Sequence, residues 1–118
     1  MHLGIDLEEN DRIARVMQRP RFCRTVLGGA EYRLLAQRGF PVTGVAASWC
    51  AKEAFGKALG TGIRGFSLCE VELLRAANGA PYLQLSGRAA EAAAGMRFSV
   101  SVTHTRAYTS VIVIGEAE

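Results

Sequence analysis

Residues 49–64, WCAKEAFGKALGTGIR, decide more about the fold than any other part of the sequence. The spacing of their apolar and charged residues predicts a central helix that starts near Val45 and ends at Leu59. Gly60 follows at the position where helices commonly close on a left-handed residue. The side chains predicted to face the core are Trp49, Phe55, Ala58 and Leu59.

The charged residues of this stretch suit an anionic ligand and its counterion. Glu53 and Lys57 lie four residues apart, so a helix presents both on one side, and Lys52 adds a second amine. Gly60, Thr61 and Gly62 follow with little side-chain bulk, which permits backbone N–H groups to approach phosphate oxygens. The order of a P-loop is absent, and exposed Glu–Lys pairs are common on protein surfaces. These residues alone leave two interpretations open. The first is a site for a phosphate and a metal ion, and the second is a surface ion pair.

The elements around the central helix predict an α+β fold, with helices packed on an antiparallel sheet. Before it we expect a strand over 3–7, a helix from 10 or 11 up to Pro20, helical turns over 22–27, a short helix around 32–35 that closes at Gly39, and a loop over 41–44. After it we expect a strand over 68–74, a hairpin turn at Asn78–Gly79, a return strand from Tyr82, a helix over 87–96, and strands over 98–105 and 108–114.

Length and composition predict a single domain over residues 1–118. With 49% hydrophobic and 21% charged residues, the chain does not belong to the disordered class. No apolar run approaches the roughly 18 residues that span a bilayer, and the N-terminus lacks a signal-peptide pattern. Cys23, Cys50 and Cys69 follow no disulfide or zinc spacing, which predicts small buried hydrophobic residues and a cytoplasmic location.

Arginines concentrate in one segment, residues 12–38, which holds seven of them against a single acid, Glu31. Such a segment attracts an acidic partner by long-range electrostatics. Nucleic acid is one candidate, but the interleaved aromatic residues of a stacking surface are missing. An acidic protein surface fits at least as well, and a solvated helix face is the simplest alternative.

Two further residues are candidates for chemistry outside the central helix. Asp6 lies near the end of an apolar strand, where with Glu53 it would supply the two carboxylates that Mg²⁺ commonly takes beside water and phosphate oxygens. A helix-capping or turn role is the alternative for Asp6. His104 ends a strand in which alternation places it on the face of Val100 and Val102, as a ligand contact or as a polar strand end.

Several of these motifs together resemble one family over essentially the full length. Gly4-Ile5-Asp6 with Glu9 and Arg12 matches its opening pattern, and residues 51–63, AKEAFGKALGTGI, match its central signature almost letter for letter. Asn78-Gly79-x-Pro81 matches its hairpin, and residues 100–105, VSVTHT, match its late strand. The chain resembles the holo-(acyl carrier protein) synthases, small enzymes with the 4′-phosphopantetheinyl transferase fold.

The resemblance implies a reaction and a site. These enzymes move the 4′-phosphopantetheine group of coenzyme A to a serine of apo acyl carrier protein and release adenosine 3′,5′-bisphosphate. By position, Asp6 and Glu53 would bind Mg²⁺, Glu53 and Lys57 would be catalytic, and the base would be Glu53 or a metal-bound water. The residues implied to contact coenzyme A are Lys57, Gly60, Thr61, Gly62, Pro81, His104 and Thr105.

The resemblance also implies partners and shows two departures. Family members form a homotrimer with active sites between subunits, and Arg12 and Arg21 fall at positions that dock the acidic carrier protein. Ser48 stands where the family usually has an arginine, and residues 28–44 match poorly. A non-catalytic trimeric module that binds the carrier protein or coenzyme A is therefore the alternative to an active enzyme.

Overall fold

The computed structural model describes residues 1–118. Its helices are α1 (Asn10–Val16), α2 (Phe22–Val26), α3 (Gly29–Gln37), α4 (Val42–Leu59) and α5 (Gly87–Ala92), with a short 3₁₀ turn at Leu68–Glu70. Its strands are β1 (His2–Glu9), β2 (Val71–Arg75), β3 (Pro81–Leu85), β4 (Met96–His104) and β5 (Tyr108–Ala117). The predicted α+β class is confirmed.

The strands form two antiparallel sheets. One has the order β1-β5-β4, and the other is the β2–β3 hairpin. Strand β1 therefore joins the last two strands of the chain, with Asp6 opposite Val111. This pairing leaves β1 as an edge strand that carries Asp6 along one side of the molecule.

Helix α4 lies across the inner face of the larger sheet and forms the centre of the core. The buried residues of this core cluster are Ala47, Cys50, Ala51, Ala54 and Ala58 of α4, Val111 and Val113 of β5, and Leu73 of β2. The alanines permit close approach of helix and strand, and Gly4 completes it, because a Cβ on Gly4 would clash with the carbonyl oxygen of Ala54. Close packing fixes α4 relative to β1, the two elements that carry the candidate site.

Most local predictions agree with the structure, and three are wrong, one of them the helix predicted over 87–96, which ends at Ala92. Residues 42–44 are helical rather than a loop, because Pro41, with φ −60°, is the N-cap of α4 and the helix starts at Val42. Residues 68–70 form a 3₁₀ turn before β2. The predicted helical end at Gly60 is confirmed by its φ of +81°, and the Asn78–Gly79 hairpin joins β2 to β3 as predicted.

The cysteine prediction holds only in part. Cys50 is fully buried, Cys23 is half-buried, and Cys69 is exposed in the 3₁₀ turn. All three are free thiols. Among the predicted core residues of α4, Phe55 and Ala58 are buried, whereas Trp49 and Leu59 are half-buried. No helix is both long and apolar enough to cross a membrane.

Along β1 and β5 the outer face of the larger sheet is apolar and uncovered, whereas β4 presents serine and threonine side chains there. Leu3, Ile5 and Leu7 of β1 are 57–61% exposed. In the sheet register, Leu3 lies opposite Ile114 and Ile5 opposite Ile112 of β5. A contiguous apolar surface of this kind is typical of a protein–protein contact.

Candidate active site

The structure brings the strand carboxylate Asp6 and the helix amine Lys57 together. The Nζ of Lys57 donates to Oδ1 of Asp6 at 3.1 Å and to the backbone oxygen of Ile5 at 2.9 Å. The Asp6 side chain is 15% exposed and that of Lys57 is 52% exposed. The amine is therefore fixed beside the carboxylate and still faces solvent, where an anionic ligand can reach it.

Glu53 completes this cluster from one helical turn before Lys57. Its pKa is raised, chiefly by desolvation and then by the negative charges of Asp6 and Glu8, while Lys57 and Arg12 oppose the shift. Burial and, after it, the neighbouring carboxylates therefore disfavour the ionised form of Glu53. A cation bound beside this carboxylate would favour the ionised form again.

Glu8 is a member of this cluster that sequence reasoning missed. It lies two residues beyond Asp6 in β1, so that alternation places both on the same face. Its carboxylate pairs with Arg12, and its side chain is only 15% exposed. The available sequence signal was the acidic D-L-E spacing at the end of an apolar strand.

The donor set fits a hard divalent cation in part. No group of three or more His, Cys, Asp or Glu side chains is arranged to hold a metal ion by itself. Mg²⁺ commonly takes only one or two carboxylates and completes its shell with water and substrate phosphates. Two carboxylates, such as those of Asp6 and Glu53, are therefore sufficient for a magnesium ion that arrives with a phosphate ligand.

The glycine loop after α4 does not present its backbone as the sequence predicts. The N–H of Gly60 bonds to the carbonyl of Lys57, and those of Thr61 and Gly62 both bond to the carbonyl of Gly56. These amides close the end of the helix instead of pointing to a phosphate. What the loop offers a ligand is the absence of bulk and the exposed hydroxyl of Thr61.

Lys52 is not part of this cluster, so the prediction of a second amine at the site is wrong. Its side chain is fully buried, and Nζ donates to Oε1 of Glu31 at 2.7 Å and to the carbonyl of Val71. Glu31 also accepts N–H bonds from Gly28 and Leu73. The network joins α3, α4 and β2, and it uses the one acid of the arginine-rich segment.

His104 and the hairpin meet in a second region, at the first turns of α4. A cavity of about 540 Å³ lies there. Its lining residues are Leu34, Arg38, Pro41, Thr43, Gly44, Ala47, Arg75, Gly79, Val102 and His104. The set contains two arginines and a histidine but no acid, so the cavity favours an anion. It includes neither Asp6 nor Glu53, and the predicted coenzyme A residues thus fall into two separate groups within one subunit.

The two predicted docking residues lie on the surface around α1 and α2. Arg12 is exposed on α1 and is paired with Glu8. Arg21 lines an open depression with Arg19, Phe22 and Val26. Its lining combines apolar and cationic side chains, which suits a partner that presents both apolar and acidic side chains.

Known proteins resemble this chain in both sequence and structure. The 4′-phosphopantetheinyl transferase superfamily matches residues 2–108. Holo-[acyl-carrier-protein] synthase of Maridesulfovibrio salexigens is 39% identical over 97% of this chain and 96% of its own length. The enzyme of the same name from Exiguobacterium is 37% identical over 98% and 92%.

Solved structures of holo-[acyl-carrier-protein] synthases share the fold of this chain. The holo-[acyl-carrier-protein] synthase of Neisseria meningitidis superimposes with a TM-score of 0.87 at 31% identity, over 98% of this chain and 97% of its own. That of Bacillus anthracis, in complex with CoA (3′,5′-ADP), gives a TM-score of 0.84 at 26% identity, over 99% and 96%. By sequence match and by fold, the chain belongs to the 4′-phosphopantetheinyl transferase superfamily.

Proposed function

We propose that this protein is a holo-(acyl carrier protein) synthase that requires Mg²⁺ and works as a trimer. It transfers the 4′-phosphopantetheine group of coenzyme A to a serine of apo acyl carrier protein. The serine oxygen forms a bond to the phosphorus of the phosphopantetheine group, the anhydride bond breaks, and adenosine 3′,5′-bisphosphate leaves. The observation that carries the site assignment is the cluster of Asp6, Glu53 and Lys57 on β1 and α4.

Each residue of the cluster has a role that its surroundings support. Asp6 and Glu53 would hold the metal ion, which when bound neutralises charge on the pyrophosphate. Lys57, fixed by Asp6 and still half-exposed, is placed to contact a phosphate oxygen. Glu53 is also one of the two candidates for the group that accepts the proton of the serine hydroxyl.

The basic cavity at the start of α4 supports a site shared between subunits. Its Gly79 and His104 belong to the hairpin and strand implied to contact coenzyme A, and Arg38 and Arg75 add positive charge. We assign it to the phosphate-bearing adenosine portion of coenzyme A, although Pro81 and Thr105, the other predicted contacts of the hairpin and strand, do not line it. The carboxylate cluster that completes the site would then come from a neighbouring subunit.

The uncovered sheet face supports the trimer. A ring needs two different complementary surfaces on each subunit, and the exposed Leu3, Ile5 and Leu7 provide an apolar one. Ile5→Asp should shift the protein to a monomer in light scattering after size exclusion. Gln84→Asp, on the exposed face of β3, is the matched control and should leave the assembly unchanged.

The reaction is tested by intact-protein mass spectrometry. Apo acyl carrier protein incubated with this protein, coenzyme A and Mg²⁺ should gain one phosphopantetheine group, and EDTA should abolish the gain. Gain of mass that persists in EDTA would overturn the magnesium requirement. Binding of coenzyme A without any gain across several carrier proteins would favour the non-catalytic module. The cytoplasmic location stays a prediction.

A further inference from the structure

Asn10 is a buried polar residue that belongs neither to the cluster of Asp6, Glu53 and Lys57 nor to the proposed docking residues. It is the first residue of α1 and is 5% exposed. Its Oδ1 accepts a hydrogen bond of 2.6 Å from Thr109, whose side chain is fully buried in β5. A buried amide must satisfy its donors and its acceptor, so its partners show what it holds in place.

Those partners are the carbonyl groups of the turn between β4 and β5. The Nδ2 of Asn10 donates to the carbonyls of Thr105 and Arg106, both at 3.0 Å. Its backbone N–H donates to the carbonyl of Ala107 at 2.8 Å. A single residue of α1 thus binds three consecutive carbonyl groups of the turn.

The turn has no comparable support elsewhere. Residues 104–108 are exposed. Apart from Asn10, the bonds within the turn are local, with Thr105 Oγ1 accepting from Ala107 and Tyr108. Exposed turns with only local bonds are the parts of a protein that open most easily. Removing the Asn10 amide would therefore release the turn from the body of the protein.

Stability alone does not account for an amide at this position. Replacing both partners of a buried hydrogen bond by apolar groups of similar shape can be nearly neutral, so an apolar pair at positions 10 and 109 could fill the same space. An apolar pair cannot hold the carbonyls of Thr105 and Arg106 in fixed positions. The specific contribution of Asn10 is the geometry of the turn.

We propose that Asn10 is a positioning residue that fixes the turn after His104 against α1 of the same subunit, so that His104 and Thr105 keep the geometry of their contacts with coenzyme A. The proposal rests on the proposed function, which assigns His104 and Thr105 to coenzyme A and Arg12 of α1 to the carrier protein. Asn10 touches neither substrate. It acts through the turn, so its loss should weaken the binding of coenzyme A and leave the chemical step largely intact.

The test compares two nearly isosteric variants. Asn10→Asp removes both amide donors and places a carboxylate against the carbonyls of the turn. Thr109→Val removes only the hydroxyl that donates a hydrogen bond to Oδ1 of Asn10, and it leaves the amide donors of Asn10 in place. We expect Asn10→Asp to raise the KM for coenzyme A about tenfold, with kcat at saturation within about threefold of the wild type. Thr109→Val should lower the Tm but leave the KM for coenzyme A unchanged.

The outcomes separate this inference from the proposed function. His104→Ala is measured beside the two variants. If His104→Ala raises the KM for coenzyme A and Asn10→Asp does not, the role of Asn10 is refuted and the site assignment stands. If His104→Ala has no effect, the assignment of the turn to coenzyme A fails, and the inference fails with it.

Two further results bear on the inference. An equal rise of the KM in Thr109→Val would reduce the effect to general destabilisation and would overturn the proposal. Should Asn10→Asp fail to fold, Asn10→Ser removes the same donors without adding charge, and the same KM comparison applies to it.

Discussion

Two lysines of the same helix, Lys52 and Lys57, have opposite environments in this structure. Lys52 is fully buried and pairs with Glu31 of α3. Lys57 is 52% exposed and pairs with Asp6 of β1. Both pairs join α4 to another element, but only the second lies where a substrate can reach the charges.

The difference follows from helix geometry and from the neighbours of α4. Five residues advance a helix by about 140° beyond a full turn, so the two amines leave the helix on different sides. The side of Lys52 is covered by α3 and β2, and that of Lys57 faces the exposed edge of β1. Identical residues in one motif therefore serve structure in one case and, as we propose, chemistry in the other.

Lys52→Met gives the largest effect that we expect on stability. It leaves the Glu31 carboxylate buried without its cation, and removal of one partner of such a pair typically costs about 3–5 kcal/mol. Urea unfolding should show this loss, while Lys57→Met, at an exposed pair, should change stability by less than about 1 kcal/mol. Equal effects of the two variants would contradict the distinction between the lysines.

Local sequence patterns predicted the residues of the site but not all of their surroundings. The periodicity of residues 49–64 and the glycine at its end were sufficient for most of α4. The partners of Lys52 were not predictable in this way, because Glu31 lies 21 residues away in a segment without a recognisable motif. The sequence around Lys52 and Glu53 does not reveal which of these charged side chains becomes buried under a helix that is distant in sequence.

The pairing of β1 shows the same limit. Its alternation predicted a strand with Asp6 on it, but its neighbour β5 lies about a hundred residues later. Glu8 was missed because its relation to Glu53 depends on how β1 packs on α4. Local conformation can be predicted from nearby residues, whereas a site formed by two elements can be predicted only when their packing is known.

Glu53→Gln tests the exposed side of the comparison. If the cluster of Asp6, Glu53 and Lys57 is catalytic, transfer to the carrier protein should fall by about 10²–10³-fold with the Tm unchanged. Asp6→Asn should act similarly, and Glu91→Gln, exposed on α5, is the control. Near-normal transfer by both Glu53→Gln and Asp6→Asn would remove the metal site from the mechanism.

Ser48→Arg tests the buried side, one helical turn before Lys52. Ser48 is 2% exposed beside a cavity of only about 30 Å³, which Arg38 and Arg75 also line. A new arginine there overpacks the core and adds like charge, so we expect a loss of about 1–3 kcal/mol and no gain in coenzyme A affinity. Ser48→Ala, which keeps a small side chain, is the control. Tighter binding of coenzyme A by Ser48→Arg would show that Arg38 and Arg75 do not replace the arginine that the family usually has at this position.

The pH dependence of metal binding gives the smallest effect and defines the role of Lys57. Because desolvation and Asp6 raise the pKa of Glu53, protons compete with a cation for this carboxylate at higher pH than for an ordinary glutamate. Affinity for Mn²⁺ should therefore decline as the pH falls through the raised pKa, as measured by electron paramagnetic resonance.

The charge of Lys57 sets where that decline occurs. Lys57 lowers the pKa of Glu53, so Lys57→Met should raise it further and shift the decline in Mn²⁺ affinity to higher pH. Lys57→Arg keeps the charge and should leave the pH dependence unchanged. A shift to lower pH in Lys57→Met would mean that Lys57 does not stabilise the ionised Glu53, and the contrast with Lys52 would then rest on exposure alone.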